Sequence, residues 1–242
     1  MCGRFVLRTP PAEVARHFRT RGAVPNKPPS WNIAPTHDVL AVAFANETRD
    51  EPRQRALTTL RWGLIPSWAK DSKLAATMIN AKAETCTDKP AFRDAFTSRR
   101  CIVPADAFYE WKREGKAKQP YAFVMRDRSV FGFAGLWERW RDSKSGETLR
   151  TCTIITTTPN PLTAEVHDRM PVILPPDAYG RWLGEEPADA GELQALLAPF
   201  PAEAMESFPV SERVGNVKND DESLIEPAAP IVRDGERQAS LF

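Results

Sequence analysis

The second residue of the chain carries its most distinctive reactive group. The sequence begins Met1-Cys2-Gly3-Arg4, and the side chain of Cys2 is small enough for the initiator methionine to be removed. Removal would leave a free α-amine beside the Cys2 thiol. Because an α-amine titrates near about 8 and a thiol near about 8.5, we expect both groups to be partly reactive at neutral pH without special tuning. Such a pair condenses with an aldehyde, since the amine forms a Schiff base that the thiol closes to a thiazolidine ring.

Two further segments contain side chains suited to proton transfer. Glu110 lies between aromatic residues at the end of an apolar segment, which predicts a raised pKa and a general acid, although it could also merely cap a strand. His167 is one of three histidines, and Asp168 or another carboxylate could fix its tautomer while Arg169 supplies a charge. A purely structural histidine is the alternative.

A third segment combines an amide, a cation and aromatic residues. Asn80 and Lys82 are two residues apart, so on an extended segment they face the same side. There the amide would orient a reacting group and the cation would hold a phosphate. The alternative is a polar strand face in solvent. Trp62 and Trp68 flank a proline, where tryptophans are usually core or corner residues, but exposed they would form a platform for unstacked bases.

The composition is typical of one intracellular, globular domain. The chain has 242 residues, of which 42% are hydrophobic and 27% are charged. No apolar run approaches the roughly 20 residues that span a bilayer, so we expect no membrane contact and a cytoplasmic monomer. The four cysteines form no Cys-x-x-Cys pair, which indicates neither a metal site nor a disulfide framework. We therefore expect no cofactor.

The charge is unevenly distributed, although the net charge is only +1. Residues 185–242 hold 13 acidic and 4 basic side chains, so residues 1–184 hold 29 basic and 19 acidic ones. The basic residues at 99–100 and 112–118 could follow a phosphate backbone, although a lysine-rich turn is more often a solvated hairpin tip. The charge pattern alone is weak evidence for nucleic acid.

Many short strands and short helices must position these groups. The 22 prolines favour short elements joined by turns. Runs rich in β-branched and aromatic residues predict strands at 39–44, 57–62, 101–111, 121–125, 130–137 and 149–157. Helical patterns occur at 11–18 (with Thr9 as N-cap), 90–96, 162–166, 176–183 and 190–197. These predict an α+β domain with a curled, largely antiparallel β-sheet core and short peripheral helices.

Seven motifs in this order resemble the signature of the SOS-response-associated peptidase (SRAP) family. They are Cys2-Gly3-Arg4-Phe5, Asn32-Ile33-Ala34-Pro35-Thr36, Trp62-Gly63-Leu64-Ile65-Pro66, Asn80-Ala81-Lys82-Ala83-Glu84, Phe108-Tyr109-Glu110-Trp111, His167-Asp168-Arg169-Met170-Pro171 and Val214-Gly215-Asn216-Val217-Lys218-Asn219. The resemblance covers residues 2 to about 226 and implies a single SRAP domain over 2–226, followed by a polar, flexible tail over 227–242.

The resemblance also implies a function and a set of site residues. It predicts a sensor of abasic sites in single-stranded DNA that traps them as a DNA–protein crosslink through the mature N-terminal Cys2. Asn80, Glu110 and His167 would complete the catalytic site, and the cations Arg4, Lys82 and Arg169 would contact phosphates. Other members have arginine where this chain has Lys82, which keeps the charge but loses the bidentate fork. Pro35 would act as a wedge between bases and Trp68 as a stacking surface.

Two alternatives and a tail motif complete the hypotheses. One alternative is an N-terminal-nucleophile peptidase or amidase, in which the Cys2 thiol attacks a carbonyl and its own α-amine is the base. The other is a nucleic-acid-binding module in which Cys2 is incidental.

At the end of the tail, Gln238, Leu241 and Phe242 resemble the short peptide with which repair proteins bind the bacterial sliding clamp. The alternative is a terminal plug that folds back onto the domain.

Overall fold

β-Strands account for most of the regular structure. The computed structural model of the chain describes residues 2–44, 54–115 and 117–230. The strands are β1 (Phe5–Leu7), β2 (Ser30–Ile33), β3 (Asp38–Phe44), β4 (Arg55–Trp62), β5 (Asn80–Lys82), β6 (Arg100–Ala105), β7 (Ala107–Glu114), β8 (Ala117–Met125), β9 (Phe131–Arg141), β10 (Thr148–Thr157), β11 (Met170–Pro171), β12 (Ile173–Leu174) and β13 (Met205–Pro209).

The helices are short, as the frequent prolines predicted. The α-helices are α1 (Pro11–His17), α2 (Arg93–Ser98), α3 (Pro161–Ala164), α4 (Tyr179–Leu183) and α5 (Ala190–Ala195). Single turns of 3-10 helix lie at Ser72–Ala76, Pro176–Ala178, Ala202–Ala204, Glu212–Gly215 and Glu222–Ile225. Among the described residues, no helix is long and apolar enough to cross a bilayer.

The strands form two sheets, one of which closes on itself. The smaller sheet has the order β13-β8-β7-β1-β2. In the larger sheet β10, β4, β3, β6 and β9 pair in that order, and β9 pairs again with β10, so the five strands form a closed ring. β10 runs parallel to β4 and β5, and the other paired strands are antiparallel. The prediction of an α+β domain with a curled, largely antiparallel core is confirmed.

The core lies between the two sheets. β3 is buried at five of its seven residues, as expected for a strand covered on both faces. Phe5 of β1 packs edge-on against Trp62 of β4 and Phe133 of β9, with ring centroids 5.2 and 5.8 Å away. These contacts fix the N-terminal strand of the smaller sheet against the ring, and therefore fix the position of the residues just before it.

Two local predictions are wrong, both because of Asp106. The segment 101–111 is not one strand, since β6 ends at Ala105 and β7 begins at Ala107 in the other sheet. At the break, the Asp106 carboxylate accepts hydrogen bonds from the backbone N–H groups of Arg8 (2.6 Å) and Thr9 (2.8 Å) and from the Thr9 hydroxyl (2.6 Å). Thr9 therefore does not cap α1, whose N-cap is Pro10 without a side-chain hydrogen bond.

The ordered pairing runs slightly past the predicted domain boundary. Val210 and Pro227 form an isolated antiparallel bridge, and the Ala228 N–H donates to the Pro209 carbonyl at 2.9 Å. These contacts join Pro227 and Ala228 to the end of β13 and the residue after it. The clamp-motif residues Gln238, Leu241 and Phe242 lie outside the described residues.

Candidate active site and nucleic-acid interface

The β1–β7 register positions Cys2 near Glu110. Phe5 pairs with Phe108, and the Tyr109 N–H donates to the Arg4 carbonyl at 3.0 Å. Continuing this antiparallel register places Gly3 opposite Glu110. Cys2 is fully buried, and the Glu110 carboxylate acts electrostatically on its thiol.

Burial changes the expected protonation state of the Cys2 thiol. Desolvation raises the thiol pKa far above its ordinary value, and the negative charge of Glu110 raises it further. A hydrogen bond from the Arg4 backbone opposes this only in part. The expectation that the thiol is partly ionised at neutral pH without special tuning is therefore wrong. The thiol is protonated at rest and needs a base when it reacts.

Glu110 has the environment that its aromatic neighbours predicted. Its side chain lies on β7 and is buried. Desolvation raises the pKa of Glu110 to about 7, so the predicted raised pKa is confirmed. Near neutral pH, both the acid and the carboxylate are populated, as a group that donates and then recovers a proton requires.

His167 lies directly beside Glu110. Its Nε2 is 3.9 Å from Oε2 of Glu110, and its Nδ1 accepts a hydrogen bond of 3.0 Å from the Arg169 N–H. That bond fixes the neutral tautomer with the proton on Nε2, facing Glu110. Nδ1 is also 2.9 Å from Oδ1 of Asp168, a contact that is favourable only when the ring is protonated. Burial lowers the pKa of His167, so the neutral ring predominates at neutral pH.

Asn80 lies on β5, which pairs in parallel with β10. Asn80 pairs with Ile154 and donates a long hydrogen bond of 3.4 Å to the Ile154 carbonyl. Its Oδ1 is buried, and within the described part of the chain no group donates to it. A buried acceptor without a donor costs free energy unless a ligand satisfies it. Within β5 only Ala81 is fully buried and Lys82 is exposed, which agrees with an outward polar face.

Arg169 is held by an acidic neighbour that sequence reasoning missed. Its Nη1 and Nη2 donate to the two carboxylate oxygens of Glu84 at 2.6 and 2.9 Å, and Nη2 also donates to the Thr156 carbonyl at 2.6 Å. The hydrogen bond from Arg169 lowers the pKa of Glu84. The only sequence signal for this pair is an acid two residues after Lys82, in the segment that already held Asn80.

Arg4 is similarly bound, in this case to the C-terminal motif. Its Nη1 donates to Asn32 Oδ1 (2.9 Å) and to the Val214 carbonyl (2.8 Å), and its Nη2 donates to the Gly215 carbonyl (3.3 Å). Buried Asn32 donates from Nδ2 to the carbonyls of Val214, Asn216 and Asn219 at 3.2, 3.1 and 2.8 Å. Asn32 therefore fixes the 214–219 segment and the Arg4 side chain together. Sequence analysis assigned it no role of its own.

The two residues predicted to contact bases lie on separate turns. Pro35 is half-buried and precedes Thr36, whose φ is +73°. Trp68 is 60% exposed, in contrast to Trp62, which is fully buried. Trp68 lies in a turn closed by the hydrogen bond from the Ala69 N–H to the Pro66 carbonyl at 2.9 Å. Gly63, just after β4, has a φ of +122°, and a Cβ there would lie 2.4 Å from the Ala75 carbonyl oxygen, so only glycine fits.

An open pocket connects Glu110 and His167 to solvent. It is lined by Glu110, Trp111, Arg113, Lys118, His167 and Gly215. An adjoining pocket shares Trp111, Arg113 and His167 and adds Lys112, Glu165, Val166 and Asp168. Among the residues that the structure describes, no cluster of histidine, cysteine and acidic side chains is arranged to hold a metal ion. The site therefore combines an acid, an imidazole and a thiol beside a basic pocket.

Comparison with known proteins gives consistent matches over most of the chain. A family model described as SOS response associated peptidase (SRAP) matches residues 1–217. Abasic site processing protein YoqW of Bacillus subtilis is 44% identical over 229 residues, which cover 93% of this chain and 99% of that protein. Abasic site processing protein HMCES of Xenopus tropicalis is 31% identical over 258 residues, covering 90% and 76%. A crystal structure from Bacteroides thetaiotaomicron superposes with a TM-score of 0.84 at 26% identity, covering 94% of this chain and 100% of that chain.

Proposed function

This chain belongs to the SOS response associated peptidase (SRAP) family, and from that premise we propose that it senses abasic sites in single-stranded DNA and crosslinks to them through Cys2. The relatives' shared name, abasic site processing protein, supports the substrate. The observation that carries the chemistry is the approach of His167 to Glu110 within 3.9 Å, beside a buried Cys2 on which Glu110 acts electrostatically.

The first step opens the sugar. An abasic deoxyribose is mostly a closed hemiacetal, so its ring oxygen must gain a proton and its anomeric hydroxyl must lose one before the aldehyde appears. Protonated Glu110 is the acid, since its pKa of about 7 leaves the acid form populated at neutral pH. The neutral α-amine of mature Cys2 then attacks the aldehyde carbon, and loss of one water gives an imine.

The second step closes the thiazolidine. The Cys2 thiol adds across the imine, so that a C–S bond forms while the imine nitrogen gains a proton. Because burial keeps the thiol protonated, a base must remove its proton, and the Glu110 carboxylate left by the first step is suited to that task, while Nε2–H of His167 faces that carboxylate. The unsatisfied Oδ1 of Asn80 would accept a hydrogen bond from the reacting amine. Closure removes the imine that would otherwise promote β-elimination and strand cleavage.

The DNA contacts follow from charge and exposure. Lys82 is exposed and would contact a phosphate directly. Arg4 and Arg169 already bind protein acceptors, so a phosphate would add to or exchange with those bonds. Exposed Trp68 would stack on a base, worth about 1–3 kcal/mol, and Pro35 would hold neighbouring bases apart. Duplex DNA opposes this because its bases must first unpair, so single strands should be preferred.

Intact mass spectrometry with an abasic oligonucleotide tests the proposal. The native chain should lack Met1 and should form an adduct whose mass is the sum of protein and DNA less one water. Cys2→Ala keeps the α-amine but not the thiol, so it should give only an imine that borohydride traps. A heat-stable Cys2→Ala adduct without borohydride would contradict the thiazolidine. No adduct from the native chain would contradict the function as a whole.

The enzymatic activity that we propose is lyase-like crosslinking together with removal of Met1 by the protein itself. The peptide bond before Cys2 adjoins the thiol, so thiol attack on the Met1 carbonyl followed by hydrolysis would release methionine. An N-terminal-nucleophile peptidase would use the same groups. The test is the N-terminal mass of Cys2→Ala and Glu110→Gln made in cells that lack methionine aminopeptidase activity. Retained Met1 in the variants and its loss in the native chain would support self-processing, whereas equal loss would exclude it.

We also propose that the chain acts as a cytoplasmic monomer whose tail binds the bacterial sliding clamp. The support is the terminal motif with Gln238, Leu241 and Phe242 at the end of a polar segment. Tethering would raise the local concentration of a sensor whose own contacts carry little sequence information. A fluorescence-anisotropy titration of the tail peptide against the clamp of the same organism tests this. Equal binding of a peptide with both Leu241→Ala and Phe242→Ala would exclude it.

A further inference from the structure

We propose that Arg113 and Lys118 form a phosphate-binding site beside Glu110 and His167, and that it takes a backbone phosphodiester next to the lesion. The inference rests on the proposed function. It adds a subsite on the β7–β8 hairpin, outside all seven sequence motifs. From the sequence alone, the basic residues of this hairpin could equally form a solvated tip.

The strand register places the two cations side by side. Arg113 of β7 pairs directly with Lys118 of β8 in the antiparallel ladder. Directly opposed residues have Cβ atoms about 4.5–5.5 Å apart on the same face of the sheet. Both side chains are exposed. They therefore present two positive charges to one point in space, where repulsion between them favours binding of an anion.

The pocket geometry connects this pair to the reacting groups. Arg113 and Lys118 line the same pocket as Glu110 and His167. The charge of Arg113 also acts on His167 and contributes to lowering its pKa. The reacting sugar is flanked on both sides by phosphates, so a sugar that reaches Glu110 brings a phosphate to the mouth of this pocket.

The two cations are also available to a ligand. Within the ranges that the structure describes, neither side chain makes a hydrogen bond or an ion pair with another residue. Arg4 and Arg169, by contrast, are bound to protein acceptors. Two acids, Glu165 and Asp168, line the adjoining pocket, and Asp168 contacts His167. A phosphate at the cation pair thus binds without displacing any protein acceptor.

The phosphate would also alter the protonation of His167. Neutralising Arg113 removes one of the charges that lower the pKa of His167, and the added negative charge favours the imidazolium. Nδ1–H of that imidazolium would donate to Asp168, whose Oδ1 is 2.9 Å away. Bound DNA would therefore favour the imidazolium, whose Nε2–H faces the Glu110 carboxylate.

Equilibrium binding to an oligonucleotide with a central tetrahydrofuran tests the site without crosslinking, since this analogue cannot open to an aldehyde. The double variant Arg113→Gln/Lys118→Gln should bind about tenfold more weakly near 0.15 M salt, with a log–log salt slope smaller by about 0.7, because the pair holds one phosphate and each phosphate contact in single strands contributes about 0.7. The matched control is Arg16→Gln/Arg93→Gln, which removes two arginines that are 78% and 58% exposed on α1 and α2. It should bind like the native chain. Thermal unfolding checks that all three proteins fold.

A methylphosphonate scan then locates the contact. Each phosphate linkage in turn is replaced by a neutral methylphosphonate, and the affinity of the native chain and of the double variant is measured. The linkage held by the pair is the one whose replacement lowers the affinity of the native chain but not that of the double variant. Unchanged binding and slope in the folded double variant would overturn the inference, as would equal effects of every linkage in both proteins. Crosslinking by the native chain is a separate measurement, so a failure of the proposed function is distinguishable from a failure of this site.

Discussion

The carboxylate of Glu110 and the imidazole of His167 reach each other from different parts of the fold, with Oε2 and Nε2 3.9 Å apart. Glu110 lies on β7 of the smaller sheet, whereas His167 follows α3 and precedes β11 of the larger sheet. Burial raises the pKa of the acid to about 7 and lowers that of the imidazole. The order of the two pKa values is therefore the reverse of the ordinary one, so near neutral pH Glu110 can hold a proton beside a neutral imidazole.

We expect the crosslinking rate to follow a bell-shaped pH profile. Attack requires protonated Glu110, with its pKa of about 7, and a neutral Cys2 amine, whose ordinary pKa is about 8. The rate should peak between about pH 7 and 8 and should fall tenfold per unit on either side. Single-turnover gel assays with abasic oligonucleotide measure it. Glu110→Gln should be slow and should lack the alkaline fall, whereas a native rate that rises through pH 9 would exclude Glu110 as the acid.

Glu110→Gln should stabilise the fold at high pH. The pKa of Glu110 is raised from 4.5 to about 7 in the folded chain, so the folded state holds this proton more tightly than the unfolded state does. The cost of burying the carboxylate is therefore absent below about pH 4.5 and complete above about pH 7, where it is roughly 3 kcal/mol. Urea unfolding at pH 4 and pH 9 measures it.

The control for that measurement is Glu185→Gln, which removes the same charge from a carboxylate bound to Arg55 at 2.6 and 2.8 Å. That variant should gain no stability at pH 9. An equal free energy of unfolding for Glu110→Gln and the native chain at both pH values would show that the Glu110 carboxylate is not desolvated.

The fold could be predicted where the strands are long. β3, β4, β9 and β10 contain runs of β-branched and aromatic residues, and each was predicted within a few residues of its observed bounds. β1, β5, β11 and β12 have only two or three residues, too few for any period to appear. They are strands because β7, β9 and β10 offer them partners, which is a property of the tertiary structure.

The sequence predicted which residues lie near one another better than it predicted their protonation states. The family resemblance implied a shared site for Cys2, Glu110 and His167, and in the structure Glu110 lies 3.9 Å from His167 and acts electrostatically on Cys2. The protonated thiol depends on burial, which no local pattern around residue 2 reveals. The Glu84–Arg169 pair joins residues 85 apart in sequence, and only the pairing of β5 and β11 with β10 brings them together.

Asn32→Ala should destabilise the fold and weaken DNA binding together. The variant removes the Asn32 donor from the Asn219 carbonyl and one of two donors from the carbonyls of Val214 and Asn216, and it removes an acceptor from Arg4. Orphaned groups of this kind cost about 1–3 kcal/mol, which urea unfolding should detect. Asn32→Asp keeps the acceptor for Arg4 but loses the donors, so it should retain more binding than Asn32→Ala. The reverse order would show that the 214–219 segment, rather than Arg4, depends on Asn32.

Glu84→Gln should strengthen DNA binding if Arg169 contacts a phosphate. In the structure both oxygens of Glu84 occupy the guanidinium end of Arg169, so a phosphate must compete with them. A neutral amide binds the guanidinium more weakly and removes a negative charge near the DNA, which should raise affinity about two- to tenfold, most clearly at low salt.

The matched control is again Glu185→Gln, since the Arg55–Glu185 pair is also bidentate, through Nε and Nη2 of the arginine, and the change in net charge is identical. Affinity for a tetrahydrofuran oligonucleotide, measured by fluorescence anisotropy over a range of salt, compares the two variants. A gain confined to Glu84→Gln would show that Glu84 and phosphate compete for Arg169. A loss confined to Glu84→Gln would instead make Glu84 a positioning residue, which holds Arg169 so that its backbone N–H keeps the His167 tautomer that faces Glu110.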